Sequence, residues 1–205
     1  MRDEATVHGD ADLVRRCARG EEAAYRELVE RLEKPLGAFI RRYVGEESLA
    51  EDLFQETFVR VVRTLGNFRP EASLSTWIFT IARNLCLDHL KAKKRHREVS
   101  MDAAASDGSD RDVDFREALR SPAAEPGTTA EGQEESARLR AAMAELPEPK
   151  REALVLRVYS NLSYAEIARI TDAPVGTVKF RVHDAIQELA RKMARRSGSG
   201  EEVTK

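Results

Sequence analysis

Apolar residues recur every three to four positions along the N-terminal half of the chain, which is the spacing of amphipathic helices. Pro35 lies inside one of these stretches and is expected to bend or split it, because proline lacks an amide proton. The stretches are predicted to pack as one bundle of three or four helices over residues 10–97. The predicted helices are a short one from Asp12 to Ala18, a second over 21–43, a third over 49–65 and a fourth from about Ser75 into the basic run 91–97.

Residues 98–136 break this pattern. Ser, Asp, Gly, Pro and Ala dominate the segment, and Phe115 stands almost alone as a large apolar residue. Too little apolar surface is present to offset the entropy of ordering the segment. It carries 3 basic and 11 acidic residues, against 18 and 16 in residues 1–97 and 13 and 9 in residues 137–205. We therefore predict a flexible acidic linker of net charge −8 between two mildly basic units.

Helical periodicity resumes near Leu139, stops at residues 146–149 and returns from Leu154. A strand over 154–159 is the alternative suggested by its β-branched residues.

A capping box follows, with Ser163 as the first residue and Glu166 three positions later. A three-residue turn and Pro174 then introduce another helix, which is the helix-turn-helix pattern; a plain helical hairpin is the alternative. The predicted fold is all-α, with two small helical domains at 10–97 and 137–196 joined by the flexible linker 98–136.

Composition narrows the class of protein. Charged residues make up 34% of the 205 residues, and no uncharged apolar run approaches the roughly 18–20 residues of a membrane span. The segment Met1–Glu4 lacks the basic-then-apolar pattern of a secretory signal. We expect a cytoplasmic protein without membrane insertion. Cys17 and Cys86 form no Cys-x-x-Cys pair, so we predict two buried thiols in helices rather than a disulfide or a zinc site.

Sequence motifs of catalysis are missing. The chain has no His-Glu-x-x-His, Walker, Gly-x-Ser-x-Gly or EF-hand pattern, and its four histidines are scattered. We predict no enzymatic activity, no catalytic residue, no cofactor and no metal site.

The second helix of the C-terminal motif is predicted to bury one face, which centres near Val182 and Leu189 and also includes Val175, Val178, Ala185 or Ile186, and Met193. Polar and aromatic residues lie on the opposite face. In a major groove, lysine and arginine reach phosphate or guanine, aspartate accepts from cytosine and phenylalanine touches a thymine methyl. A solvated face is the alternative, although it exposes Phe180 to water unless a neighbouring helix covers that ring. The candidate residues are Thr177, Lys179, Phe180, Arg181, His183, Asp184 and Gln187.

The end of the fourth predicted helix carries five basic residues in seven positions. Arg83 and Asn84 lie earlier on the same helix. Such runs are often solvated helix ends, where the helix dipole also favours cations. Because the chain has a second DNA-binding element, we favour a track for nucleic-acid phosphates. The run comprises Lys91, Lys93, Lys94, Arg95 and Arg97.

Three sequence pieces stand in a specific order along the chain. They read AEDLFQETF at 50–58, WIFTIARN at 77–84 with Asp88, and LSYAEIA at 162–168 followed by PVGTVK at 174–179. In this order and spacing they resemble the sigma-70 family, and within it the small extracytoplasmic-function (ECF) class. The resemblance implies a transcription initiation factor that binds core RNA polymerase and directs it to specific promoters.

The resemblance implies three contact surfaces. Asp52, Gln55 and Glu56, with Phe58 and Val59, are implied to dock on the clamp helices of the largest subunit of core RNA polymerase. The loop 67–76 and the basic helix are implied to read and hold the unpaired minus-ten strand through Asn67, Arg69, Arg83, Asn84, Lys91, Lys93, Lys94 and Arg95. The helix-turn-helix around 163–183 is implied to read the minus-thirty-five duplex through Ser163, Thr177, Lys179, Phe180, Arg181, His183 and Asp184.

Further expectations come with the resemblance. An anti-sigma factor is an implied partner, and the linker is implied to enter the RNA exit path as a displaceable mimic of RNA charge, with a plain tether as the alternative. The family commonly has a small residue at Phe180 and basic residues around His183 and Asp184, so we hypothesise an unusual minus-thirty-five sequence. The rival interpretations are a stand-alone DNA-binding repressor, which leaves the N-terminal bundle unexplained, and an RNA-modifying enzyme.

Overall fold

Helices dominate the computed structural model, which describes residues 4–69, 72–102, 130–160 and 162–198. Within these ranges there are eight α-helices and one 3-10 turn and no strand, so the predicted all-α class is confirmed. The elements are α1 (Glu4–Ala18), α2 (Glu22–Val44), α3 (Glu47–Thr64), the 3-10 turn (Leu65–Asn67), α4 (Leu74–Asp102), α5 (Ala130–Ala144), α6 (Glu148–Tyr159), α7 (Tyr164–Thr171) and α8 (Val175–Gly198).

Pro35 does not split α2, which continues as one helix to Val44. The missing amide proton removes one intrahelical hydrogen bond. Leu32 and Leu36 on either side of the proline are both buried, and their packing holds the helix across this gap. The first helix is also longer than predicted, since α1 already begins at Glu4.

Both ends of the predicted linker are helical. Helix α4 continues to Asp102 and α5 begins at Ala130, where alanine, glutamate and glutamine favour a helix. The rest of the predicted linker, residues 103–129 with Phe115, lies outside the described residues.

The strand alternative at 154–159 is wrong, because these residues belong to α6. Helix α6 packs against α8 on one side and α2 on the other, so four consecutive residues from Ala153 to Leu156 are buried and the usual amphipathic pattern is lost.

Aromatic rings fill the core of the N-terminal bundle. The Phe39 ring centroid lies 5.5 Å from that of Phe79, edge-on, and 5.4 Å from that of Tyr43. Cys17 and Cys86 are free, buried thiols in α1 and α4, which confirms the prediction. Burial raises the pKa of Cys86 to about 12.

The N-terminus of α4 receives two hydrogen-bond acceptors from different parts of the chain. Ser73 Oγ accepts from the Thr76 amide at 3.1 Å, and Asp10 Oδ2 accepts from the Leu74 amide at 2.9 Å. The other carboxylate oxygen of Asp10 accepts from Arg31 Nη1 at 2.7 Å. Helix α1 therefore fixes the position at which the preceding loop enters α4.

The C-terminal helix-turn-helix forms as predicted. Both hydrogen bonds of the capping box between Ser163 and Glu166 are present, and Asp172 ends α7 in the left-handed conformation at φ 50°. Val178, Val182, Ala185 and Leu189 form the buried face of α8. Val175 and Ile186, predicted on that face, are instead 40% and 53% exposed, because the buried stripe is narrower than the run of apolar residues.

The two helical units pack against each other. Helix α6 contacts α2, and α7 contacts α4, so buried residues of both units form one continuous core. In the described ranges, no helix combines the length and apolar character that a membrane span requires.

Candidate functional site

The outward face of α3 brings together most of its predicted contact residues. Asp52 and Gln55 are exposed, and Val59 exposes 41% of its surface one turn further along. Glu56 is half-buried and accepts from Arg60 Nε at 2.9 Å. Phe58 differs from the others, because its ring packs beside that of Phe54 with the centroids 5.0 Å apart. This face therefore exposes an acidic residue, an amide and an apolar side chain.

The segment after α3 presents two polar side chains to solvent. Asn67 in the 3-10 turn and Arg69 are both exposed, and residues 70–71 lie outside the described residues. Phe68 packs edge-on against the half-buried Trp77, with ring centroids 5.6 Å apart. Trp77 therefore packs against the core of the N-terminal bundle.

Arg83 and Asn84 are neighbours on α4 with different surroundings. Asn84 is exposed, whereas the Arg83 side chain is 18% exposed and pairs with Glu152 of α6. Arg83 Nε lies 2.5 Å from Glu152 Oε1, and Arg83 Nη2 lies 3.3 Å from Glu152 Oε2. The structure thus separates Arg83 from the solvent-exposed residues with which the sequence grouped it.

The basic run continues along the exposed part of α4. Lys91, Lys93 and Arg95 are exposed, and Lys93 Nζ lies 3.7 Å from Glu46 Oε2. The side chains of Lys94 and Arg97 lie outside the described residues.

Helix α8 presents the predicted duplex-reading residues on its solvent side. Lys179, Phe180 and His183 are exposed, and Phe180 exposes 65% of its surface. Thr177 and Arg181 are half-buried. Within the part of the chain that the structure describes, no neighbouring helix covers the Phe180 ring, so the packing alternative left open by the sequence is not what the structure shows.

Two of the predicted duplex contacts already have partners within the chain. Ser163 is exposed, but its hydroxyl takes part in the capping box with Glu166. Asp184 Oδ2 lies 2.6 Å from Lys150 Nζ of α6, and this hydrogen-bonded ion pair holds the pKa of Asp184 below its usual range. Lys150 also donates to Glu188 at 3.1 Å, so it links α6 to α8 at two carboxylates.

Glu152 is the residue that the sequence reasoning missed. It lies four positions before the buried Leu156, on the same face of α6, and its side chain is 5% exposed. A carboxylate on the buried face of a helix requires a cationic or hydrogen-bonding partner. The spacing of Glu152 from the apolar residues of this helix could therefore have indicated such a partner from the sequence. Within the described ranges, no group of three or more His, Cys, Asp or Glu side chains is arranged to hold a metal ion.

Comparison with known proteins adds to this geometry. The family model for sigma-70 region 2 matches residues 28–96, and the model for sigma-70 region 4 matches residues 136–189.

Two relatives match along nearly their whole length. The RNA polymerase sigma-H factor of Pseudomonas aeruginosa is 34% identical over 193 residues, which cover 93% of this chain and 98% of that protein. The ECF RNA polymerase sigma-E factor of Haemophilus influenzae is 32% identical over 188 residues, which cover 90% and 95%. Among solved structures, the sigma factor RpoE of Bartonella quintana, in complex with the anti-sigma factor NepR, superimposes with a TM-score of 0.61 at 28% identity, covering 82% of this chain and 95% of that one.

Proposed function

We propose three contact surfaces for this chain, which belongs to the sigma-70 family and within it to the ECF class. The three surfaces contact core RNA polymerase, the minus-ten strand and the minus-thirty-five duplex. As a sigma factor, the chain is a transcription initiation factor that binds core RNA polymerase, directs it to promoters and catalyses no reaction. The observation that carries the three assignments is that most of the side chains expected at each of the three surfaces are exposed.

The polymerase contact is assigned to the outward face of α3. Asp52, Gln55 and Val59 lie one turn apart on an exposed face, and Glu56 and Phe58 flank them. The exposed Val62 extends the apolar part of this face. Apolar side chains ringed by polar ones are typical of a protein–protein contact.

The minus-ten contact is assigned to the 3-10 turn and α4. Asn67, Arg69 and Asn84 are exposed polar groups that hydrogen-bond an unpaired base. The basic track of Lys91, Lys93, Lys94 and Arg95 follows the phosphates of the same strand. Arg83 belongs to this surface once its ion pair with Glu152 is released.

The minus-thirty-five contact is assigned to the helix-turn-helix, with Lys179, Phe180, Arg181 and His183 in the major groove and Ser163 and Thr177 at its edge. We propose that Phe180 contacts a thymine methyl group. We also propose that the Asp184 carboxylate releases Lys150 and accepts a hydrogen bond from the amino group of cytosine. Promoters selected from a random library by wild type and by Asp184→Ala test this; identical preferences contradict it.

An anti-sigma factor is the further protein partner that we propose, because a solved structure 28% identical to this chain holds its sigma factor in complex with one. We place the action of the chain in the cytoplasm, where bacterial RNA polymerase meets its template.

The assignment of the α3 face is tested by run-off transcription with purified bacterial core polymerase on genomic fragments. Asp52→Ala/Gln55→Ala is expected to abolish the specific transcripts, because both side chains are exposed and no core contact is lost. Glu30→Ala/Glu33→Ala is the matched control, since it removes two exposed carboxylates from α2. Equal transcription by wild type and the α3 variant would overturn the assignment.

A further inference from the structure

Asp184 belongs to an ion-pair network that joins three parts of the C-terminal unit. Lys150 Nζ of α6 lies 2.6 Å from Asp184 Oδ2 and 3.1 Å from Glu188 Oε2, and both carboxylates are on α8. Lys192 Nζ, also on α8, lies 2.7 Å from Glu145 Oε2 and 3.8 Å from Glu188 Oε1. The five side chains are 23–26% exposed, so water reaches the network but does not surround it.

Lys150 occupies a position at which a helix disfavours a cation. It is the third residue of α6, and the first turn of a helix carries the positive end of the helix dipole. The two carboxylates of α8 compensate for this position. Those carboxylates are four positions apart on one helix, where two like charges repel each other unless a cation lies between them. Lys150 is therefore a cation shared by two anions.

The two carboxylates differ in their distance from the face of α8 that we assign to the duplex. Asp184 follows the exposed Phe180 by four positions, which places it one turn further along α8 and about 40° further around it. Glu188 lies another turn along and about another 40° around. Asp184 therefore stands at the border of the duplex-reading face, and Glu188 lies further from the DNA.

We propose that Lys150 and Glu188 set how strongly the chain selects cytosine in the minus-thirty-five duplex, without contacting the DNA themselves. Lys150 competes with the base for the Asp184 carboxylate. Glu188 weakens this competition, because it holds the same lysine after Asp184 has turned to the base. The inference rests on the proposed reading of cytosine by Asp184, and it makes Lys150 and Glu188 positioning residues.

The competition acts on both the right and the wrong base. At cytosine, Asp184 exchanges a partly exposed ion pair, which contributes little, for a charge-assisted hydrogen bond from the base. At any other base, Asp184 keeps its pair with Lys150, so the mismatch leaves no carboxylate unpaired beside the DNA. Because specificity is the difference between these two cases, the lysine lowers it and the second carboxylate restores part of it.

The test measures the base preference of the full chain in complex with purified bacterial core RNA polymerase. A promoter that wild type transcribes is randomised over its minus-thirty-five segment, and the bound templates are sequenced. Asp184→Ala identifies the position that this residue reads. At that position, selection of cytosine over the other bases should rise about threefold in Lys150→Met and fall about threefold in Glu188→Gln, the size expected of a partly exposed ion pair.

The controls separate this effect from a general change in charge or stability. A ratio of bases at one position does not change when affinity falls equally for all sequences. Lys192→Met removes the same charge at the same 26% exposure and leaves both contacts of Lys150 in place, so it should select cytosine like wild type. Lys150→Arg keeps the charge and should also resemble wild type. Lys150→Met/Glu188→Gln should resemble Lys150→Met, because Glu188 acts through the lysine.

The outcomes distinguish the inference from the proposed function. If Asp184→Ala changes the preference but Lys150→Met and Glu188→Gln do not, the inference is overturned and the reading of cytosine by Asp184 stands. A change in the same direction in Lys150→Met and Glu188→Gln would also overturn the inference. Identical preferences of wild type and Asp184→Ala at every position would reject the proposed reading itself, and the inference with it.

Discussion

Phe180 exposes 65% of its surface on α8, although burial of a phenylalanine side chain is worth about 2 kcal/mol. Helical spacing alone placed this ring opposite the core, and the structure agrees. The same spacing failed for Ile186, because an apolar residue at the border of a stripe is buried only if a neighbouring helix reaches it.

Phe180→Ala is expected to leave the free energy of unfolding within about 0.5 kcal/mol of wild type, because the ring makes no core contact. We expect binding to a double-stranded promoter fragment that wild type transcribes to weaken about tenfold, or about 1.4 kcal/mol. Ile186→Ala, which truncates another exposed apolar residue of α8, should leave the affinity unchanged. Equal losses in the two variants would contradict a specific role for Phe180.

The two thiols give a prediction about accessibility. Burial raises the pKa of Cys17 and raises that of Cys86 to about 12, so neither forms much of the reactive thiolate near neutral pH. We expect no reaction of the native protein with Ellman's reagent at pH 8 and two equivalents of thiol in guanidinium chloride. Rapid reaction of the native protein would show that the bundle opens around α1 or α4.

Local signals predicted the individual helices well. The capping box of α7 is a matter of four residues, and the structure contains both of its hydrogen bonds. The cap that Asp10 provides to α4 was not predictable, because the two partners lie 64 positions apart and no local pattern joins them. The length of α4 was also missed, since nothing in the composition of 98–102 marks the end of a helix.

Glu166 gives the capping box a pH dependence. Burial alone would raise the pKa of Glu166, but hydrogen bonds from the Ser163 amide, the Ser73 hydroxyl and other groups hold the pKa below its usual 4.5. The stabilisation is therefore complete above pH 4.5 and is lost as the pH falls through the folded-state pKa. An NMR titration of the Glu166 carboxyl carbon should have its midpoint below 4.5.

Ser73→Ala is the matched variant for this titration, because it removes a donor to Glu166 from the other unit and leaves the capping box in place. We expect the Glu166 midpoint to move upward in Ser73→Ala. A wild-type midpoint at or above the ordinary value would contradict the hydrogen-bonded geometry at this carboxylate.

At the scale of the whole molecule, the sequence predicted two units and the structure adds their packing. Arg83 and Glu152 are 69 positions apart, and Ser73 and Glu166 are 93 apart. Periodicity reports which face of a helix is buried and not what covers it. Helix α6 shows the consequence, because it is buried both against α8 and against α2. The face that packs on α2 made the segment too uniformly apolar for an amphipathic helix, and the sequence therefore also suggested a strand there.

Glu152→Ala tests how strongly this packing couples the units. It leaves the mostly buried guanidinium of Arg83 without its carboxylate, and breaking a buried pair in this way costs about 3 kcal/mol. We expect wild type to melt in one calorimetric transition, because the two units share a core. Glu152→Ala should melt at a lower temperature or in two transitions.

Two further variants make this result specific to the contact. Glu134→Ala removes an exposed carboxylate that pairs with Arg138 and should melt like wild type, because surface pairs contribute about 0–1 kcal/mol. Arg83→Met/Glu152→Leu should recover much of the loss, since an apolar pair avoids the desolvation of both charges. If Glu152→Ala melted like wild type, the ion pair would contribute nothing to holding the units together, and the apolar contacts of α6 and α7 would have to account for the packing alone.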